Sequence, residues 1–220
     1  MIDRFSGHFQ RTRATEVYPN QSPLSCLDIY GAVINTQPDV VIEVGTSHGA
    51  STIAIAMALH DLGAPLSMFT TIDIHQGLWH GSTRTVQSDI FDAFDFSPIH
   101  TLEQDFATVN PEPLLYCKPE VLVFFDAHDQ PNQPSISKIL IDNWFPLMNH
   151  GTILFHDFTL VLPDPANFPG LPDNTSTATH FSGKQFAGFK EIDTVIPWLN
   201  DNKIALTILS DSLIKFEVKK

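Results

Sequence analysis

The sequence predicts an α/β fold: a doubly wound, mixed sheet of seven strands with helices on both faces and an antiparallel hairpin at the carboxyl end. Three observations carry this. Short β-branched runs alternate with segments of helical spacing, a glycine-rich turn joins the first strand to an Ala-rich helix, and Asp211 and Ser212 leave too little room for a parallel crossover between the last two strands.

Taken in order, Leu24, Leu27, Ile29, Ala32 and Val33 recur at helical spacing over Pro23 to Thr36, a segment that Pro38 ends. Val40 to Val44 reads as a strand, Ser51 to Leu59 as a helix and Met68 to Ile74 as a second strand. The alternation continues with a helix near Thr83 to Phe94, a strand near Ile99 to Leu102, the strand Val121 to Phe125, a helix near Ile136 to Met148 and the strand Thr152 to Phe155. A helix near Phe186 to Leu199 precedes the closing strands Ile204 to Leu209 and Leu213 to Val218. Strands spaced by helices imply a mainly parallel core with both faces covered.

A chain of 220 residues fits a single domain over 1–220, with a helical extension at 1–38. Thr159 to Gln185 carries four prolines between positions 163 and 172 and no clear periodicity. It leaves the end of the Thr152 to Phe155 strand, where ligands bind in such sheets, so it is expected to be a substrate lid. The 12 Lys and Arg against 25 Asp and Glu give a net charge of −13, which argues against a nucleic-acid partner. The apolar run Ile53 to Leu59 is too short to span a membrane, and the amino end has no signal-peptide pattern, so a cytoplasmic location is expected. Cys26 and Cys117 form no C-x-x-C or Cys/His cluster and read as core thiols.

The most specific motif is Glu43-Val44-Gly45-Thr46-Ser47-His48-Gly49-Ala50-Ser51, directly after the first strand and opening a helix. Gly45 lets the chain turn sharply, and Gly49 lets helix and ligand approach the backbone. The G-x-x-x-G spacing differs from the G-x-G-x-x-G of a dinucleotide site, and Glu43 suits a ligand bearing a cationic group better than a pyrophosphate. Asp73 ends the second strand 28 positions after Gly45, where a carboxylate can accept both hydroxyls of an adenosine ribose. After the third strand, Leu102-Glu103-Gln104-Asp105 places polar groups suited to an adenine edge. Each of these also has a plain structural reading, since βα turns use glycine and strand-end acids cap turns.

With these residues in view, the chain resembles the class I S-adenosylmethionine-dependent methyltransferases, and within them the catechol O-methyltransferase and cephalosporin hydroxylase-like small-molecule group. Glu43, Gly45, Gly49 and Ser51 match that group's E-x-G-x-x-x-G-x-S turn. The resemblance runs from about Val40 to Asp157 and implies a Rossmann-like sheet. It implies a donor site built from Glu43, Gly45, Thr46, Ser47, Gly49, Ser51, Asp73 as ribose acid, Ile74 beside adenine, Glu103, Gln104, Asp105 and Asp126.

Two further motifs, Val123-Phe124-Phe125-Asp126-Ala127-His128-Asp129 and Ile153-Leu154-Phe155-His156-Asp157, each deliver an acid at the end of an apolar strand. On neighbouring strands about 4.8 Å apart, such acids can share one divalent ion, which also relieves their repulsion. The resemblance implies magnesium at Asp126 and Asp157. The asparagine ligand of catechol O-methyltransferase falls on Phe158, which cannot bind metal, while His156 stands where hydroxylase-like relatives place an acid. An imidazole ligand there shifts preference toward manganese, iron or zinc. The family's catalytic lysine falls on Asp129, which leaves His128 as the candidate base, acting beside Asp126.

The expectation is an S-adenosylmethionine-dependent O-methyltransferase (EC 2.1.1) that transfers methyl to a hydroxyl of a small molecule, with a divalent metal assisting. Two alternatives stand beside it. An NAD-linked oxidoreductase shares the sheet and Asp73 but would want glycine in place of Ser47. A donor-binding, non-methylating subunit of a hydroxylase-like complex would explain the missing lysine and asparagine. The expected partner is the small hydroxylated substrate, with neither nucleic acid nor membrane, and the resemblance allows a homodimer.

Overall fold

The computed structural model describes residues 23–46, 49–74, 98–127, 135–156, 191–210 and 213–220. The helix expected near Thr83 to Phe94, the expected lid, and the site candidates Ser47, His128 and Asp157 lie outside the described residues.

Seven strands form one sheet: β1 Val40–Val44, β2 Phe69–Asp73, β3 His100–Glu103, β4 Glu120–Phe125, β5 His150–Phe155, β6 Leu206–Ser210 and β7 Leu213–Lys219. Their order is β3-β2-β1-β4-β5-β7-β6. β1 to β5 run parallel, while β7 lies antiparallel to both β5 and β6. This is the doubly wound sheet with a closing hairpin that the sequence predicts.

The central strands β1, β4 and β5 are rich in apolar residues and buried on both faces. Val40, Ile42 and Val44 of β1 share one core with Val121, Val123 and Phe125 of β4 and Ile153 and Phe155 of β5. Val41, Leu122, Phe124 and Leu154, on the alternate positions, share the other core with helices α1 Pro23–Thr36 and α2 Ala50–Asp61. Every residue of α2 from Ala50 to Leu59 is buried, as expected of a helix held between a sheet and a second helix. Gly63, at φ 69°, ends α2 with the paired bonds Gly63 N–H to His60 O and Ala64 N–H to Leu59 O.

Some boundaries move for physical reasons. The short helix α3 Glu112–Leu115, absent from the sequence reading, precedes β4. The helix expected over Ile136 to Met148 is α-helical only in α4 Ile136–Ile139, then widens into a π turn over Leu140–Trp144 and tightens into a 3-10 turn over Phe145–Leu147. Pro146, with no N–H to donate, lies in that last turn. Helix α5 Glu191–Asp201 ends with Lys203 at φ 55° and Ile204 N–H bonded to Leu199 O. That bond commits the Ile204 amide to the helix end, so β6 begins at Leu206 rather than at Ile204.

Cys26 is buried, and burial pushes its thiol up to about 12. Cys117, expected in the core, is instead exposed. It holds φ 57° in the turn between α3 and β4, off the apolar pattern of either element. No helix among the described residues is long and apolar enough to cross a membrane.

Candidate functional site

The parallel register aligns the carboxyl ends of the central strands. Val44 pairs with Ile72 on one side and Phe125 on the other, and Phe125 pairs with Phe155. One residue further along come Gly45, Asp73, Asp126 and His156. Backbone bonds hold them there: Gly45 N–H to Ile72 O at 2.9 Å, Asp126 N–H to Val44 O at 2.8 Å and His156 N–H to Phe125 O at 2.9 Å. Asp73 pairs with Glu103, which extends the row. The chain reverses strand order between β1 and β4, so this edge is the crevice where open α/β sheets receive ligands.

Gly45 sits at φ 90° with its α-carbon against the Asp126 backbone. Gly49, at φ 76°, donates to Thr46 O and launches α2 by accepting from Ile53 N–H. Both conformations favour glycine. The Thr46 N–H donates to Asp73 Oδ2 at 2.8 Å, which ties the strand-end acid to the turn.

Beneath the turn lies a fully buried carboxylate. Glu43 alternates with Ile42 and Val44 and so faces α2, where Ser51 Oγ and Thr52 Oγ1 donate to it at 2.6 and 2.7 Å. Thr71 Oγ1, from the paired position on β2, donates at 2.6 Å. Burial raises Glu43 from 4.5 to about 7, the three hydroxyls oppose that shift, and the Asp126 charge adds to it. Glu43 and Ser51, both members of the expected donor site, bond to each other directly beneath the turn. Thr52 and Thr71 escaped the sequence reading, although Ser51 and Thr52 are the hydroxyl residues that interrupt the apolar run of α2.

Across the edge, His156 Nδ1 lies 2.9 Å from Asp126 Oδ1, with both side chains nearly buried, 2% and 8% exposed. His156, one of the three residues expected at a shared ion, is the residue in register with Asp126, while Asp157 lies outside the described residues. Among the described residues no group of three or more His, Cys, Asp or Glu side chains could hold a metal. Asp126 and His156 supply two donors.

At the other end of the row, Ile74 is 56% exposed directly after Asp73. Glu103, Gln104 and Asp105 are exposed at the end of β3. Asp105 caps a short turn through Ala107 N–H, and Gln104 Nε2 donates to Thr108 Oγ1. Phe106 anchors that run, stacked 4.8 Å from the buried Trp144.

A glycine turn tied to a strand-end acid, with a second polar pair at the next strand tips, lies at the edge where doubly wound sheets receive ligands. Residues 42–158, more than half of the chain, match the family described as "Methyltransferase domain", and the chain belongs to that family. No curated protein sequence matches it. Among solved structures it is similar to the SAH-bound methyltransferase PaMTH1 of Podospora anserina, at 16% identity over 99% of this chain and 88% of that one, with a TM-score of 0.61. An O-methyltransferase from Bacillus cereus in complex with SAH is similar at 14% identity, 98% and 90% coverage and a TM-score of 0.61. TomG of Streptomyces achromogenes, an O-methyltransferase involved in tomaymycin synthesis and bound to SAM, is similar at 16% identity, 98% and 89% coverage and a TM-score of 0.55. At these identities the likeness is one of fold.

Proposed function

We propose that this protein is an S-adenosylmethionine-dependent O-methyltransferase acting on the hydroxyl of a small molecule. The observation that carries the proposal is the row of Gly45, Asp73, Asp126 and His156 at one edge of the sheet, held by the register of four strands.

The residues fit the donor. Asp73 offers a carboxylate at the end of β2, Ile74 offers an exposed apolar plate for a purine, and the Gly45 to Gly49 turn brings backbone close to whatever lies above it. When bound, the donor supplies a methyl group on a sulfonium, electrophilic enough for direct capture by an oxygen nucleophile. The chain contributes position. Placing the acceptor oxygen in line with the methyl replaces a bimolecular encounter, an effect worth roughly 7 to 11 kcal/mol. The acceptor hydroxyl must lose its proton, and His128 is the base assigned to that role.

Asp126 and His156, together with Asp157, are the residues that would hold a divalent ion. A mixed carboxylate and imidazole donor set suits manganese, iron or zinc better than magnesium, and the ion would lower the pKa of the acceptor hydroxyl and so ease its deprotonation. The O-methyltransferase names of the Bacillus and Streptomyces proteins support oxygen as the acceptor atom.

The test is incubation of the purified protein with methyl-labelled S-adenosylmethionine and a panel of phenols, sugars and aliphatic alcohols, with and without Mn2+. The expected result is label on the oxygen of at least one compound. Transfer to nitrogen or carbon acceptors alone would contradict the assignment.

A further inference from the structure

Five polar side chains are buried together beneath the glycine turn: Glu43 from β1, Thr46 from the turn, Ser51 and Thr52 from α2, and Thr71 from β2, each at most 2% exposed. Polar groups are buried at a cost unless their partners are complete, so the direction of each bond can be deduced.

An ionised carboxylate only accepts, and each hydroxyl has one proton to give. Ser51, Thr52 and Thr71 all lie within 2.7 Å of the Glu43 oxygens, so all three hydroxyl protons point at Glu43. Thr71 Oγ1 also bonds to Thr46 Oγ1. With its own proton committed to Glu43, Thr71 must accept, and Thr46 must donate. Thr46 is therefore fixed twice, its hydroxyl on Thr71 and its main-chain N–H on Asp73 Oδ2.

We infer that Thr71 is a positioning residue for donor binding: its hydroxyl links the buried Glu43 to Thr46 and so holds the turn in the orientation that fixes Asp73. Thr71 is itself fully buried, so it acts through Thr46 and Asp73 and not by touching the donor. The inference rests on the donor site proposed above, with Asp73 on the ribose. It goes beyond that proposal by assigning a binding role to a strand-interior hydroxyl.

The test compares the full chain with Thr71→Val, which removes the hydroxyl, and Thr71→Ser, which keeps it, by calorimetric titration with S-adenosylhomocysteine at about pH 8, where Glu43 is ionised. Losing one hydrogen bond of the chain should weaken the nucleoside about five- to tenfold in Thr71→Val. The serine variant should stay within about twofold of wild type. In turnover assays the loss should fall on KM for the donor more than on kcat, a split that general destabilisation would not give. Thr46→Val should show a loss of similar size, and the double variant should be no weaker than the worse single one, because both break the same link. Unchanged affinity in Thr71→Val, or losses that simply add, would overturn the inference. Should Thr71→Val fail to fold, unchanged affinity in Thr46→Val would overturn it equally. Wild type that fails to bind S-adenosylhomocysteine would remove the proposed function and this inference together, whereas wild-type binding with an indifferent Thr71→Val removes the inference alone.

Discussion

Gly45 and Asp126 touch across the edges of β1 and β4: a Cβ at position 45 would stand 2.4 Å from the Asp126 carbonyl oxygen and 2.8 Å from its carbonyl carbon. Both obstacles are backbone, so no side chain can move aside. The φ of 90° adds its own penalty for any L side chain. Gly45→Ala should therefore destabilise the fold by about 2 kcal/mol or more. Gly31 in α1 has nothing within 4 Å of a built Cβ, and Gly31→Ala should stabilise by about 0.5 to 1 kcal/mol through helix propensity. Urea unfolding of the two variants, with opposite signs of change, checks the geometry. Equal effects would contradict it.

The buried Glu43 makes stability depend on pH. Its folded value of about 7 lies above the ordinary 4.5, so below about pH 4.5 the group is protonated in both states and carries no penalty. As pH rises toward 7, the unfolded chain releases the proton while the folded chain retains it, and stability declines. The loss is complete once the pH passes the folded value and is on the order of 3 kcal/mol. Glu43→Gln should flatten that part of the profile. Urea midpoints across this range measure it, and parallel profiles for wild type and variant would refute the assignment.

Asp73 accepts the Thr46 N–H and stands at the tip of β2, half-buried. Removing a carboxylate that bonds a ligand hydroxyl costs roughly 1.5 to 3 kcal/mol, so Asp73→Ala should weaken S-adenosylhomocysteine about ten- to a hundredfold. A calorimetric titration reads this directly, and an unaltered dissociation constant would move the ribose elsewhere.

His156 and Asp126 meet at 2.9 Å on adjacent strand tips. If they hold a divalent ion, Mn2+ should bind chelator-treated wild type with a clear paramagnetic signature, and His156→Ala should lose most of that binding. Equal Mn2+ affinity in the two proteins would show that the pair is a hydrogen bond and nothing more.

The fold was legible because its signals are local. Val121 to Phe125 is apolar on both faces and Val40 to Val44 is apolar but for Glu43, the Gly45 to Gly49 turn marks the crossing into α2, and Asp211 and Ser212 force a hairpin. What escaped depends on register or on long-range packing. Thr71 meets Glu43 because β2 pairs with β1 at that position, a relation no spacing along the chain reveals. His156 meets Asp126 because β4 and β5 end level at Phe125 and Phe155, a relation of register that no spacing along the chain reveals. The widened turn at Leu140–Trp144 likewise escapes helical periodicity, since the burial of Trp144 against Phe106 joins residues 38 positions apart.

The central claim is that the edge formed by Gly45, Asp73 and Ile74 is a site for the methyl donor, and titration of the wild-type protein with S-adenosylhomocysteine, followed by thermal unfolding with NADH as control, tests it most directly. At 100 times its dissociation constant the nucleoside should stabilise the fold by about 2.7 kcal/mol, a plain upward shift in Tm. NADH should give none. A folded protein whose Tm ignores S-adenosylhomocysteine, or rises with NADH instead, would contradict the account.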